Sequence, residues 1–154
     1  MRDCVNALRL VRYTVIWLLV VAALPAAATL GENVNSINSD QAHLKASVRV
    51  LSRQFYSVHE MQTPSGTTIR QFVAPDGTVF GVAWQGFAPN LEQLLGDYFQ
   101  EYFRAASAPG RRGRGVHIDT GDLVLDSGGH MRYVAGRAFL RSKLPSGVTA
   151  SDVQ

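Results

Sequence analysis

The sequence predicts an α+β domain. It has an antiparallel sheet of about five strands, a three-strand meander plus a hairpin, packed against one long amphipathic helix, with a shorter N-terminal helix. Three observations carry that expectation. Two proline–glycine turns, Thr63-Pro64-Ser65-Gly66 and Ala74-Pro75-Asp76-Gly77, separate runs of strand-forming residues. Beyond the third run, Leu91, Leu94, Leu95, Tyr98, Phe99, Tyr102 and Phe103 recur with helical spacing. A further pair of apolar runs flanks Ser127-Gly128-Gly129-His130.

At the N-terminus, Arg2, Arg9 and Arg12 precede the apolar run Tyr13 to Leu24, and Pro25-Ala26-Ala27-Ala28 follows it. A basic start, a short apolar stretch and small residues before a cut are the parts of a secretory signal peptide, with cleavage expected after Ala28. The run is shorter than the about 20 residues that cross a bilayer, so no membrane span is expected after cleavage. Cys4 lies before the run, where it cannot serve as a lipid anchor. The full chain of 154 residues carries a formal +3 and a pI near 9.4. Losing three arginines and Asp3 leaves it near neutral, so basicity points to no polyanionic partner. The mature chain has no cysteine, so packing alone holds it in an oxidising compartment.

Residues 29–54 read as a polar segment, Thr29 to Asp40, followed by a short helix capped by Asp40. That helix runs to about Ser52, with Leu44, Val48 and Leu51 on one side and His43 at the surface. Residues 55–154 read as a single domain. Its first three strands are Tyr56–Met61, Thr67–Val73 and Thr78–Trp84. The short turns between them favour antiparallel pairing. In the third, alternation puts Thr78, Phe80, Val82 and Trp84 on one face and Val79, Gly81 and Ala83 on the other. Neither face is charged, which predicts a central strand covered on both sides. The small face at Gly81 and Ala83 suits a closely packed helix. Asn90 caps that helix, with Gln93 three residues on, and its aromatic stripe is expected to be core on the sheet bearing Trp84.

Gly110 to Gly115 places Arg111, Arg112 and Arg114 in a glycine-rich loop. With no aromatic residue interleaved to stack bases, it reads as a solvated loop and no nucleic-acid partner is expected. Val116–Asp119 and Leu123–Asp126 are short apolar runs. The latter pairs with Met131–Leu140 across a tip at Ser127–His130. Thr149 to Gln154 is a short capped fragment.

Three constellations suggest chemistry. Asp119-Thr120-Gly121 and Asp126-Ser127-Gly128 resemble aspartic-protease signatures, but carboxylates seven residues apart cannot come from two symmetric lobes; both are ordinary turn sequences. Ser127 and His130 with Asp119, Asp122 and Asp126 name a nucleophile, a base and an acid, without the strained strand–turn–helix elbow that activates many hydrolase serines. His117, Asp119, Asp122, Asp126 and His130 mix imidazole and carboxylate, yet match no dedicated metal spacing. A hydrogen-bonded polar edge accounts for them, and no metal or cofactor is predicted.

Several blocks together resemble a known family. They are Leu30-Gly31 after the alanines, Tyr56 to Glu60, Pro64 to Thr67, Val79 to Gly86, Leu94 to Phe99, Ser127 to Met131 and Leu144 to Val148. The resemblance is to small exported proteins of Gram-negative bacteria known only as a domain of unknown function, number twenty-eight forty-four. It covers nearly the whole chain and implies export and a single domain, but no activity and no catalytic positions. The expectation is a non-catalytic periplasmic or secreted protein that binds an envelope protein or a small ligand. Trp84, Gln85, Phe87, Ser127 and His130 are its candidate contacts, because glycine-rich loops bearing an aromatic or a histidine often carry binding. The alternative is a small hydrolase or metal-dependent enzyme using the Ser127–His130 tip and the nearby aspartates.

Overall fold

The computed structural model describes residues 30–35, 37, 46–87, 89–109 and 115–154. The expected signal peptide, His43 and the arginines at 111, 112 and 114 lie outside them. Among the described residues, seven strands form one antiparallel sheet in the order β1-β2-β3-β4-β7-β6-β5. The strands are β1 (Ser47–Ser52), β2 (Ser57–Gln62), β3 (Thr68–Val73), β4 (Val79–Phe87), β5 (Val116–Asp119), β6 (Leu123–His130) and β7 (Tyr133–Leu140).

The meander β2-β3-β4 stands as expected. Gly66 and Gly77 take φ of 83° and 86°, the left-handed backbone their turns require. β4 is the fourth of seven strands, and its first six residues are all buried. It is central and covered on both faces.

The architecture otherwise corrects the five-strand expectation: the protein is mostly sheet. Where a helix was expected from Asp40 to Ser52, residues 47–52 form edge strand β1, and residues 38–45 lie outside the described part. Leu51 and half-buried Val48 fit the helical spacing, but pairing with β2 supplies the backbone partners that an isolated short helix lacks. The expected long helix from Asn90 to Phe103 is broken into α1 (Leu91–Leu95), a 3₁₀ turn (Gly96–Tyr98) and α2 (Phe99–Ala106). Asn90 does cap α1, its Oδ1 accepting from Gln93 N at 3.1 Å. Gly96 ends that helix at φ 50° and ψ −121°, a conformation no helix interior contains. The aromatic stripe is therefore only partly core: Leu94 and Leu95 are buried, Tyr98, Phe99 and Tyr102 half-buried, and Phe103 exposed.

Strict alternation also fails in β4. The β3–β4 register slips between Phe72 and Val73, so Phe80 is an extra, bulged residue. Val79, Val82 and Trp84 join one core layer with Leu94, Leu95, Leu30 and Ile37. Phe80 and Ala83 join the other, with Phe72, Phe139 and Val153. The second layer is covered by the C-terminal segment, not by a helix: a Cβ on Gly81 would sit 3.1 Å from Val153 Cγ1. Tyr56, Phe72 and Phe80 pack there as an aromatic trio with centroids 5.9–6.1 Å apart.

The β6–β7 hairpin exists, but its tip is Met131-Arg132, not Ser127–His130. Both tip residues take positive φ, 49° and 71°, and His130 pairs with Tyr133. That is the backbone of a two-residue type I′ turn, made without the glycine or asparagine that usually marks one.

Candidate functional site

On the face covered by the C-terminal segment, cross-strand register grades the sheet from apolar to polar. One row, Val58–Phe72–Gly81–Phe139–Val124, is core. Two residues along each strand lies a row that crosses all seven: Arg49, Glu60, Arg70, Ala83, Arg137, Asp126 and His117. The next is small and polar, Thr68–Gln85–Ala135–Gly128. Phe87, Tyr133 and His130 form the last. Side-chain period two puts each row on the same face.

The charged row is knit by ion pairs. Arg70 Nε donates to Glu60 Oε2 at 2.8 Å, and Arg137 Nε donates to Asp126 Oδ2 at 3.2 Å. His117 Nδ1 donates to the other oxygen of Asp126 at 2.6 Å. That bond, followed by the one from Arg137, holds the Asp126 carboxyl below the ordinary carboxylate range. The two arginines also anchor the C-terminal segment. Arg137 Nη1 donates to the carbonyls of Ala150 at 2.9 Å and Val153 at 3.4 Å, and Arg70 Nη1 to a main-chain oxygen of Gln154, the last residue of the sequence, at 3.3 Å.

Between these side chains runs a groove of about 660 Å³, lined by Arg70, Ala83, Gln85, His117, Asp126, Gly128, Ala135, Arg137 and Gln154 among others. Ala83, Ala135 and Gly128 make its floor, and a Cβ built on Gly128 meets nothing within 4 Å. The volume falls within the range of small-molecule sites.

The structure divides the predicted contacts. Gln85 sits at the groove and donates from Nε2 to Tyr133 Oη at 2.9 Å. Phe87 stacks edge-on against Tyr133 with centroids 5.4 Å apart, and His130 pairs with Tyr133 in the same row. Trp84 and Ser127 also line the groove, but their side chains belong to the opposite face of the sheet. The Trp84 ring lies over Gly136, its direct cross-strand partner, and its buried indole N–H has no hydrogen-bond partner among the described residues. Ser127 is buried in mid-strand, three residues from exposed His130, so alternation turns the two to opposite faces.

Of the aspartates, only Asp126 reaches the groove. Arg141 Nη1 and Nη2 clamp Asp119 at 2.6 and 2.8 Å, and this pairing, with a bond from Gly121 N, takes its carboxyl far below the usual range. Asp122 accepts from Ser142 N at 2.8 Å and Ser142 Oγ at 3.0 Å. Both fasten the β5–β6 turn to the chain leaving β7. Among the described residues, no three His, Cys, Asp or Glu side chains gather closely enough to hold a metal ion. Nor is any described helix long and apolar enough to cross a membrane.

Sequence reasoning missed Arg70, Arg137 and the row joining them to His117 and Asp126. The signal is faint. Each lies at an ordinary alternating position, and only the pairing of β4 with β7 brings them together.

A family model described as "Protein of unknown function (DUF2844)" matches residues 26–153. No curated protein and no solved structure gives a match.

Proposed function

The chain belongs to the DUF2844 family of proteins of unknown function, and from that premise we propose that it is an exported, non-catalytic binding domain, periplasmic or secreted, with its ligand in the groove above Ala83, Ala135 and Gly128. The groove itself is the observation that carries this. Three adjacent strands present small residues on one face, Ala83 in the charged row and Ala135 and Gly128 in the row beside it, and side chains with hydrogen-bonding heads flank them. A sheet face built only for stability fills such positions. The family resemblance and the basic, apolar and alanine-rich N-terminus support export.

Native mass spectrometry of the protein purified from the exporting cell tests the binding. The wild type is expected to carry a small-molecule adduct that the Gly128→Phe variant, with a ring filling the groove, lacks. An adduct retained by the variant, or none on the wild type, refutes the site. Sequencing the N-terminus of the same preparation is expected to read Thr29 first.

A further inference from the structure

We infer that the groove binds a neutral, unbranched oligosaccharide laid across the strands. This rests on the groove being the ligand site proposed above and names the class of ligand it takes. The course of the groove is the first observation. It takes three consecutive residues from each of β4, β7 and β6 and two from β5, and reaches β3 through Thr68 and Arg70. It therefore runs at right angles to five adjacent strands, not along any one of them. Four strand spacings carry it about 19 Å, room for several linked sugar rings and long for a single one. The floor gives a peptide nothing to pair with. Trp84, Gly136, Ser127 and Val116 are cross-strand partners whose side chains point to the other face, so they offer the groove only main chain. That main chain is spent in the ladders of the sheet, and a ligand crossing it must find its partners among side chains.

Those side chains select against charge. Arg70 is paired with Glu60 and bonds a main-chain oxygen of Gln154, while Arg137 is paired with Asp126, which also accepts from His117. Each ionised head on this wall has its counter-charge, so a charged ligand gains a partner only by breaking a pair. An apolar ligand fares no better, because it would cover the same heads without hydrogen bonds. A hydroxyl both donates and accepts, and the wall offers both. None of the described residues bonds Nη2 of Arg70 or Arg137, which leaves donors. Asp126 keeps spare lone pairs, and Gln85, whose Nε2 donates to Tyr133 Oη, keeps Oε1 as an acceptor.

The far side of the groove is aromatic. One row beyond Gln85 and Ala135, Phe87 and Tyr133 stand on the same face, 55% and 37% exposed, with ring planes at 86°. Rings left open beside a polar wall, one of them held by the Gln85 bond, mark a contact surface. A sugar ring has an apolar C–H face as well as polar edges. It can lie against an open aromatic ring while its hydroxyls reach the charged wall. Binding to so open a groove should be millimolar and, for an uncharged ligand, hardly change as salt rises.

The test is an amide shift titration of the full exported chain. The probes are cellotetraose and tetra-N-acetylchitotetraose (flat, neutral tetrasaccharides), glucose, tetragalacturonate as the charged counterpart, and capped tetra-alanine. At least one neutral tetrasaccharide is expected to shift Gln85, Gly128 and Ala135 saturably, and about tenfold more tightly than glucose. Tetragalacturonate and tetra-alanine should bind more weakly or not at all. Phe87→Ala should weaken the neutral tetrasaccharide several-fold and Gly128→Phe should abolish it. Both positions are exposed, and thermal melts establish that the variants are folded. Should Phe87→Ala prove unfolded, Gly128→Phe carries the test alone. Undiminished binding by Phe87→Ala overturns the aromatic contact. Tetragalacturonate matching the neutral sugars overturns neutrality, tetra-alanine matching them overturns the sugar, and glucose matching them overturns the elongated course; each leaves the groove as a ligand site. Shifts confined to other residues, or undiminished binding by Gly128→Phe, overturn the groove as well. Silence from every probe overturns the oligosaccharide, and the native adduct then decides the groove separately.

Discussion

Gly136 and Gly128 sit on neighbouring strands, and the sheet assigns them opposite fates on mutation to alanine. A Cβ at Gly136 would lie 2.5 Å from Trp84 Cζ2 and 2.5 Å from the backbone oxygen of Asp126. Neither neighbour can yield cheaply. The ring is buried in the core layer that also holds Leu94 and Leu95, and the Asp126 backbone is fixed by its ladder with β7. Overpacking of this kind costs typically 1–3 kcal/mol, and here the clash is with both backbone and ring, so about 3 kcal/mol or more is expected. For a domain of this size that lowers the melting temperature by about 10 °C. At Gly128 nothing lies within 4 Å and φ lies outside the left-handed region, so alanine fits and restricts the unfolded chain, a gain of roughly 0.5 kcal/mol. Paired thermal and urea denaturation measures both. Trp84 is the one tryptophan beyond residue 28, so its emission should shift to the red in Gly136→Ala and stay unchanged in Gly128→Ala. Equal destabilisation by the two changes would refute the placement of the indole over β7, and with it the division of the sheet into a core face and a groove face.

Two other perturbations give independent checks. Asp119 and Asp126 titrate below the ordinary carboxylate value of 3.8 in the folded protein, so the unfolded chain takes up protons first as the medium is acidified. Their contribution should be complete at neutral pH, begin to fall below roughly pH 5 and continue downward through the depressed folded values. Urea midpoints across that range should decline for the wild type and less steeply for Asp119→Asn. In the β6–β7 turn, Met131 and Arg132 occupy left-handed backbone that side chains resist. Replacing the pair with Asn-Gly should stabilise the protein by about 1 kcal/mol, seen as a raised urea midpoint with unchanged slope.

What the sequence revealed was the part written in local chemistry. Pro64, Gly66, Pro75 and Gly77 impose their turns whatever the rest of the chain does, and Asn90 caps its helix through its own side chain. Where distant pairing decided the outcome, local signals misled. Ser127-Gly128-Gly129-His130 looks like a hairpin tip, but pairing with β7 carries β6 straight through it and leaves the turn to Met131 and Arg132. Val48 and Leu51 suit a helix, yet β2 captures them as an edge strand. The Phe80 bulge exchanges the expected faces of Val79 and Phe80 without leaving any mark on alternation. The candidate site suffered most. The chain leaves β4, crosses through α1 and α2, and returns so that β7, not β5, lies beside it. That return alone joins Arg137 to Arg70 across Ala83. Gln85 and Phe87 drew notice because they follow Trp84 in a stretch that reads as a glycine-bearing loop, although both lie in β4; the arginines had no such signpost.

A backbone amide shift map with a mixed library of small polar and aromatic fragments asks the molecule where it binds without prejudging the ligand. The structure predicts that perturbed amides gather at Arg70, Ala83, Asp126, Gly128, Ala135 and Arg137, on one face and within three strands of β4. Shifts that gather instead along Leu91–Ala106, with those six silent, would contradict the site.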